Sequence, residues 1–449
     1  MKNFIDQKLI EFNKILARPL YLVGGYVRNF LIDKSTSTDL DVCGAIPVEE
    51  LEGALENFGE KVLAVYKRTG TLVFKINGKK YEYTRFRKDG YSAGGNHQPD
   101  TVVFTDDITE DALRRDFKCN AIYYDVLGDK FIDPLGGIED VKNKILDTVK
   151  DPKEVFSHDG LRLMRLARFC GELGFAPTKK VLKGARENAG NILDISVERI
   201  YEELTRICLA DSKYSFSPLD GHYRALKVLD QTATLDKIIP ELTLGRGMEQ
   251  RKDYHKYDVL EHTLKTVLYS QKSVRLYALL HDVGKPFCMQ KDGKYHFHDI
   301  EGARLAKSVL LRLKAPKQTI ETCVFLTRYH MLDMKKDMKK AKLRRFIIKN
   351  LDKIDLLLDL KQADFSACKD NLEVCPTVQK WREIMLEMET DGTPINLKQL
   401  KITASELIEI GYLGKEIGKE LNKLWDLCID SPQKNDRDYL IKKAIKDLK

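Results

Sequence analysis

No stretch of eighteen apolar residues occurs anywhere in the 449-residue chain, so a membrane-crossing helix is not expected. The N-terminus, MKNFIDQKLIEFNKIL, carries charge throughout and lacks the apolar centre of a secretory signal, which leads us to expect a cytoplasmic protein. Paired CxxC spacings are missing as well. The nine cysteines are odd in number and scattered, which argues against a zinc ribbon or a disulfide frame and fits free thiols in a reducing compartment. Internal repeats and low-complexity tracts are absent, and strand signals nearly vanish after Glu154. Nothing in the composition specifies an oligomeric state.

What is present is a long, basic, mostly helical chain. Its length is too great for one core, so two to four domains are expected. The net charge of +8 suits an RNA partner and suits equally a lysine-rich solvated surface. Apolar residues at Ile5, Leu9, Phe12, Ile15 and Leu16 have a helical period. Leu20–Val23 reads as a buried strand, Tyr26–Ile32 as a helix, and Val48–Phe58 as another. Val62–Val65, Leu72–Ile76 and Lys80–Phe86 read as strands, with Asn77-Gly78 as a hairpin turn. Helices follow, with candidate boundaries near 212–221, 244–256 and 375–378.

The stretch YLVGGYVRNFLIDKSTSTDLDVC, Tyr21–Cys43, carries most of the chemistry. A paired glycine, Gly24-Gly25, lies between a strand and a helix, where backbone N–H groups can approach phosphate oxygens. Asp39 and Asp41 alternate with apolar residues and so share one face of a strand. Two like charges side by side call for a cation, and a divalent metal is the usual one. Each half alone has a bland reading, a tight turn or a solvated face. Together they imply nucleotidyl transfer.

Further along, Glu82 shares a strand face with Thr84 and Phe86. It is either a third metal-site carboxylate or an exposed strand residue. Lys88–Asp100 is a polar, glycine-containing loop, and a loop of that length inside a compact domain is either functional or disordered. Arg114, Arg115 and Asp116 fan around a helix read over Glu110–Ala121, so that one arginine can reach a triphosphate while another pairs with acids. In SHDGLRLMRLARF, read as one helix over Ser157–Phe169, Asp159 and Arg162 are neighbours three residues apart. The bland reading is an intrahelical salt bridge. The chemical reading is a base reader. Cytosine and adenine both present an amino donor beside a ring-nitrogen acceptor. A carboxylate with a guanidinium accepts that pair and rejects uracil and guanine. Arg165 and Arg168, further along that helix, are candidates for triphosphate or RNA backbone.

The wording GGxVR…DLDV resembles the class II tRNA nucleotidyltransferase and bacterial poly(A) polymerase family, which has a polymerase-beta-like head. Glu82-Tyr83-Thr84-Arg85, RRDFKCNA, Asp133-Pro134-Leu135-Gly136-Gly137, Asp159–Arg162 and Glu198-Arg199-Ile200 follow in that family's order. Asn29 and His158 stand where the family usually has Asp and Glu. The resemblance implies Asp39, Asp41 and Glu82 as catalytic residues, with Mg2+ on the first two. It implies Gly24, Gly25, Arg28, Arg114, Arg115, Asp116, Asn120, Asp159, Arg162, Arg165 and Arg168 as nucleotide-binding. The loop after Lys88 resembles the family's flexible loop for changing specificity between C and A.

A second set of residues lies downstream. Any one of the nine histidines is more often a surface or core residue than a ligand. The ordered set His262, His281-Asp282, His298, His330 and Asp364 resembles the HD phosphohydrolase pattern. That resemblance implies His262, His281, Asp282 and Asp364 as primary ligands, with His298 and His330 on a second metal or a substrate phosphate. Imidazole-rich ligation favours Ni, Co, Mn or Fe. The basic run 335–350 either follows RNA or is a solvated helix.

The expectation is therefore an α+β protein with a mixed α/β head over 1–150. A helical neck over 151–245, an HD domain over 250–375 and a helical, tRNA-contacting tail over 376–449 follow. The expected activity is CCA addition to tRNA from CTP and ATP, with no membrane partner. The rivals are poly(A) polymerisation or addition of A alone, and an HD phosphohydrolase with an RNA-binding head.

Overall fold

In a computed structural model, residues 5–34, 40–91 and 99–448 are described. The chain forms two compact units, Met1–Thr243 with Arg312–Ala315, and Leu244–Leu311 with Pro316–Lys449.

The first unit is built on a seven-stranded mixed sheet. Its strands are β1 (Tyr21–Val23), β2 (Leu40–Gly44), β3 (Val62–Tyr66), β4 (Thr71–Ile76) and β5 (Lys79–Arg85), with β8 (Tyr123–Asp125) and β9 (Lys130–Ile132), in the order β3-β4-β5-β2-β1-β8-β9. The β4–β5 hairpin turns on Asn77 and Gly78, both at positive φ (51° and 76°), as the Asn-Gly pair predicts. Strand β2 lies antiparallel to β1 and parallel to β5, with Asp41 beside Glu82 in register.

Alternation gives this sheet two apolar faces. Val23, Cys43, Phe86 and Tyr123 pack on one face with Ala112, Val149 and Val155. Leu22, Val42, Leu72, Phe74, Tyr81 and Tyr83 are buried on the other. The Tyr83 hydroxyl donates to the Ile46 carbonyl at 2.7 Å. Helix α1 (Gln7–Lys14) is tied to the start of β1 by Asn13, whose Oδ1 accepts from the Leu20 N–H at 3.0 Å. Helices α2 (Gly25–Asp33) and α3 (Val48–Asn57) match the expected periods within a few residues.

Three expectations are corrected. The polar segment read as a loop from Lys88 begins as strand. Its flanks form a two-stranded hairpin, β6 (Arg87–Gly90) with β7 (Thr101–Phe104). Residues 92–98, with Gly94 and Gly95, lie outside the described residues. The helix expected over Glu110–Ala121 stops early, as α4 (Ile108–Leu113). Beyond it the backbone pairs with a neighbouring segment, Lys118 N–H to Asp147 O at 3.0 Å and Val149 N–H to Asp116 O at 3.3 Å, and this pairing replaces helical hydrogen bonds. The helix expected over Ser157–Phe169 is two. Helix α5 (Gly137–Asn143) is followed by α6 (Pro152–His158), and α7 (Leu161–Leu173) starts after a break at Asp159-Gly160. Asp159 is extended (φ −150°, ψ 107°), and a Cβ on Gly160 would lie 2.1 Å from the Asn191 carbonyl. The close approach of that carbonyl fixes the break and requires glycine.

The second unit is helical throughout its described residues. Helices Val259–Tyr269, His298–Arg312, Lys317–Tyr329 and Leu351–Lys369 bring its histidines inward. A separate small core of Leu407, Tyr412, Leu424, Leu440 and neighbours closes the C-terminal helices. The basic run 335–350 is divided: Lys335, Lys336, Lys339, Lys342 and Lys349 are exposed, while three others are paired. Arg344, buried, donates to Asp391 at 2.5 Å, Arg345 pairs with Asp426 and Asp430, and Lys340 pairs with Glu387.

Candidate active site and a buried histidine–aspartate cluster

An open cleft of ≈ 1280 Å³ in the first unit gathers most of the head and neck residues singled out in the sequence. Its floor is the β1–α2 turn. Gly24 sits at φ 75°, ψ −142°, a conformation side chains resist, and a Cβ there would lie 3.1 Å from Asp41 Oδ2. The glycine thus lets the exposed Asp41 carboxylate reach the turn whose N–H groups open α2. Glu82, also exposed, shares its sheet face with Asp41 and is not among the cleft-lining residues. Asp39 lies outside the described residues. The donors here are carboxylate oxygens, which suit a hard divalent cation.

Arg28, one turn into α2, is 1 % exposed, and among the described residues its hydrogen-bond partners and the Phe169 and Tyr214 rings beside it are neutral. It donates to Asn120 Oδ1 at 2.5 Å, to Asn29 Oδ1 at 2.9 Å and to the Tyr214 hydroxyl at 3.3 Å. Asn29 therefore keeps the polar contact expected of Asp there and withholds the charge. A buried guanidinium without a carboxylate is costly, and an arriving phosphate would offset that cost. If the cleft binds nucleoside triphosphates, Arg28→Ala is expected to raise KM for each of them alike, by about tenfold or more, with base preference unchanged. Steady-state kinetics with each nucleotide test this, and unequal effects among them would contradict it.

The RRD segment is held by its neighbours. Arg114 and Arg115 both clamp Asp111, at 2.7 and 3.0 Å, so the expected division of labour between them is absent. Burial alone would raise the Asp111 carboxyl, but the two arginines hold it below its usual range. Asp116 binds Arg165 at 2.5 Å and accepts from Asn120 at 3.2 Å. Against the effect of burial, Arg165 and Arg162 hold its carboxyl well below the usual range. Asn120 is positioned in turn by the DPLGG turn. Asp133 accepts the Gly137 and Ile138 N–H groups at 2.8 Å each, and Gly137 touches the Lys118 carbonyl so closely that a Cβ would lie 2.2 Å away.

Asp159 and Arg162 both line the cleft, and each is anchored away from the other. Asp159 Oδ1 accepts the Leu161 N–H at 2.9 Å. Arg162 donates to the Arg114 carbonyl at 2.8 Å and the Val155 carbonyl at 3.2 Å. Their closest approach, 4.0 Å, is too long for a hydrogen bond. The ion pair crosses the break between α6 and α7 and is long, so the backbone anchors do more than it does to fix the two side chains. Arg168 is corrected. It is buried between Glu203 at 2.7 Å and Glu172 at 2.9 Å, which consume its charge. Sequence reading missed Tyr91, which stacks on His158 at 4.9 Å and lies 6.0 Å from the Arg162 guanidinium. It also missed Asp111 and Tyr214. No periodicity marks these three.

In the second unit, all six residues of the histidine pattern are buried and gathered. His262 Nε2 lies 3.0 Å from Asp364 and 3.5 Å from Asp282, and His281 Nε2 lies 3.2 Å from Asp282. His298 and His330 approach the other oxygen of Asp282 at 3.4 and 3.6 Å. Two trios, His262–His281–Asp282 and Asp282–His298–His330, have ligand atoms within 4.8 Å of one another. Asp282 Oδ1 and His281 Nε2 are buried without a well-formed hydrogen bond, the condition a cation would relieve. Lys285, which sequence reading left unassigned, bridges Asp282 at 2.6 Å and Gln250 at 2.7 Å. Burial opposes a charged His281, yet Asp282 and Asp364 push its pKa up to about 10. These residues fit a metal ion with mixed nitrogen and oxygen donors.

Known proteins match this arrangement. Residues 20–147 match the poly(A) polymerase head domain and residues 259–357 match the HD domain. The chain is 39 % identical over 215 residues to a CCA-adding enzyme of Geobacillus sp. (strain WCH70), covering 47 % of this chain and 48 % of that protein. It is 31 % identical over 329 residues to the multifunctional CCA protein of Acinetobacter baumannii (strain SDF), covering 70 % and 74 %. Against the first of these and similar relatives, the chain spans about half of their length. The crystal structure of the Bacillus stearothermophilus CCA-adding enzyme in complex with CTP shares the fold, with a TM-score of 0.65 at 21 % identity over 98 % of this chain and 97 % of that one.

Proposed function

We propose that this chain, which belongs to the class II tRNA nucleotidyltransferase family of the CCA-adding enzymes, extends the 3′ end of tRNA with C, C and A drawn from CTP and ATP. The observation that carries the reading is one cleft holding the Gly24 turn, Asp41, a buried uncompensated Arg28 and the separately anchored Asp159 and Arg162. The terminal 3′-hydroxyl attacks the α-phosphate, a new P–O bond forms, and the α–β phosphoanhydride breaks to release pyrophosphate. Asp39 and Asp41 would hold divalent cations, Mg2+ by the character of their oxygen donors, and these supply charge stabilisation at the α-phosphate and the leaving group. Glu82 lies beside Asp41 in the sheet and helps take the hydroxyl proton. Arg28 and Arg165 neutralise the triphosphate, while Asp116 and Asn120 orient those two arginines. Asp159 and Arg162 meet the pairing edge of the base, accepting from the amino group and donating to the ring nitrogen.

The head spans 1–150, the neck with its base reader 151–245, the HD domain 250–375 and the tail 376–449. The deciding experiment offers tRNA ending before CCA, at CC, or complete, with each labelled nucleotide and Mg2+. Three additions to the first, one to the second and none to the third are expected, with every product stopping at CCA. Addition of A alone, or a long A tract, would replace this reading with one of its rivals. Alanine at Asp159 or Arg162 is expected to relax choice among nucleotides more than it weakens triphosphate binding. Competition between labelled CTP and UTP measures this, and an unchanged preference in both variants would refute the base-reading role.

We also propose a metal-dependent phosphohydrolase site in the second unit, because the fold gathers all six residues of the pattern, buried, with imidazole nitrogens converging on both oxygens of Asp282. Nitrogen-rich donors favour Ni, Co, Mn or Fe. Phosphate monoesters or 2′,3′-cyclic phosphates at RNA ends are the proposed substrates.

A further inference from the structure

Cys368 is the only one of the nine cysteines that is not fully buried. It lies one helical turn beyond Asp364, so its side chain leaves the same helix face toward the histidine–aspartate cluster. Its Sγ lies 3.4 Å from Nδ1 of His255, a residue on the segment leading into helix Val259–Tyr269. That segment is fixed to the helix by a Lys256 N–H to Cys368 carbonyl hydrogen bond of 3.3 Å. The His255 and His262 rings meet edge-on at 4.8 Å. Ligand atoms of His255, His262 and Cys368 all lie within 4.8 Å of one another. A second observation marks the place. His262 Nδ1 is buried and has no hydrogen-bond partner, while its Nε2 already faces Asp364 and Asp282. One imidazole thus has a nitrogen for the cluster and an orphaned nitrogen besides.

We propose that His255, His262 and Cys368 form an additional transition-metal position that adjoins the cluster and shares His262 with it. Two imidazoles and a thiolate are a softer donor set than the neighbouring histidines and aspartates. The position therefore takes Zn2+ or Co2+ in preference to Mg2+ or Mn2+, at tetrahedral distances with a fourth place open to solvent or an exogenous ligand. Binding releases the Cys368 thiol proton to solvent as the metal–sulfur bond forms. The assignment stands whether or not the neighbouring cluster hydrolyses anything.

Co2+ titration of the full, metal-stripped chain tests it. A bound thiolate gives a sulfur-to-cobalt charge-transfer band in the near ultraviolet, and imidazole or carboxylate ligation does not. We expect that band to appear in the unaltered chain and to vanish in Cys368→Ser, with one Zn2+ per chain lost from the metal content of that variant while Co2+ bound by the neighbouring cluster gives no such band. His255→Gln should weaken Zn2+ binding by at least tenfold and shift the band. Nucleotide addition by the first unit serves as the folding control for both variants. A wild-type protein without the band, or a Cys368→Ser protein with unchanged Zn2+ stoichiometry and affinity, would show that the sulfur and imidazole make only a hydrogen bond.

Discussion

Replacing Asp41 with Asn is expected to abolish nucleotide addition, by at least about a thousandfold, while leaving tRNA binding intact. The carboxylate is exposed on β2 and belongs to neither face's apolar packing, so its loss removes charge without opening a cavity. The amide keeps the shape beside Gly24 and cannot hold a divalent cation as a carboxylate does. Asp39→Asn should behave alike, since the alternation in the sequence Asp39-Leu40-Asp41 predicts a shared role for the two carboxylates. The product ladder on CC-ended tRNA reads turnover, and a gel-shift titration reads binding. Near-normal turnover by both variants would overturn the assignment of the metal pair. Loss of binding together with turnover would point instead to a damaged head.

The second large effect concerns the buried cluster. Changing His281 and Asp282 to Ala should remove all transition-metal-dependent hydrolysis of 2′,3′-cyclic phosphate while nucleotide addition stays near normal. Adding Ni2+ or Mn2+ should raise that hydrolysis in the unaltered chain, whereas Mg2+ alone supports addition. The expected separation follows from the donors, oxygen only in the head and imidazole-rich here. Asp282 also holds the buried Lys285, so the double alanine variant leaves an ammonium with Gln250 as its remaining close partner. Asp282→Asn alone is the milder control, keeping volume and polarity. If no transition metal elicits hydrolysis of any nucleotide phosphate, and the variants lose only melting temperature, the cluster is a structural one.

The strand, glycine pair and hairpin of the head were legible in the sequence because they rest on local rules. Only Asn and Gly accept two successive positive φ values cheaply, and Gly24 has a conformation that a side chain resists. The six residues of the histidine pattern were named from their likeness to the HD order, and the fold brings them together. Alternation assigned Asp41 and Glu82 each to a face of its own strand, and the sheet register made them neighbours on one face. That register, like the identity of β5 as the parallel partner, belongs to tertiary structure alone. So does the break between α6 and α7. Helical period runs smoothly through SHDGLRLMRLARF, yet the Asn191 carbonyl occupies the space where any side chain at Gly160 would go. The helix therefore ends, and Asp159 and Arg162 are anchored by separate backbone groups. The charges tell the same story. Sequence counts arginines, but only packing decides that Arg168 is neutralised by Glu172 and Glu203 while Arg28 is buried among neutral groups. Residue type and short-range sterics act within a few positions of the chain. Which cation keeps its charge for a ligand depends on partners such as Asn120, 92 residues from Arg28, that only the folded chain brings within reach.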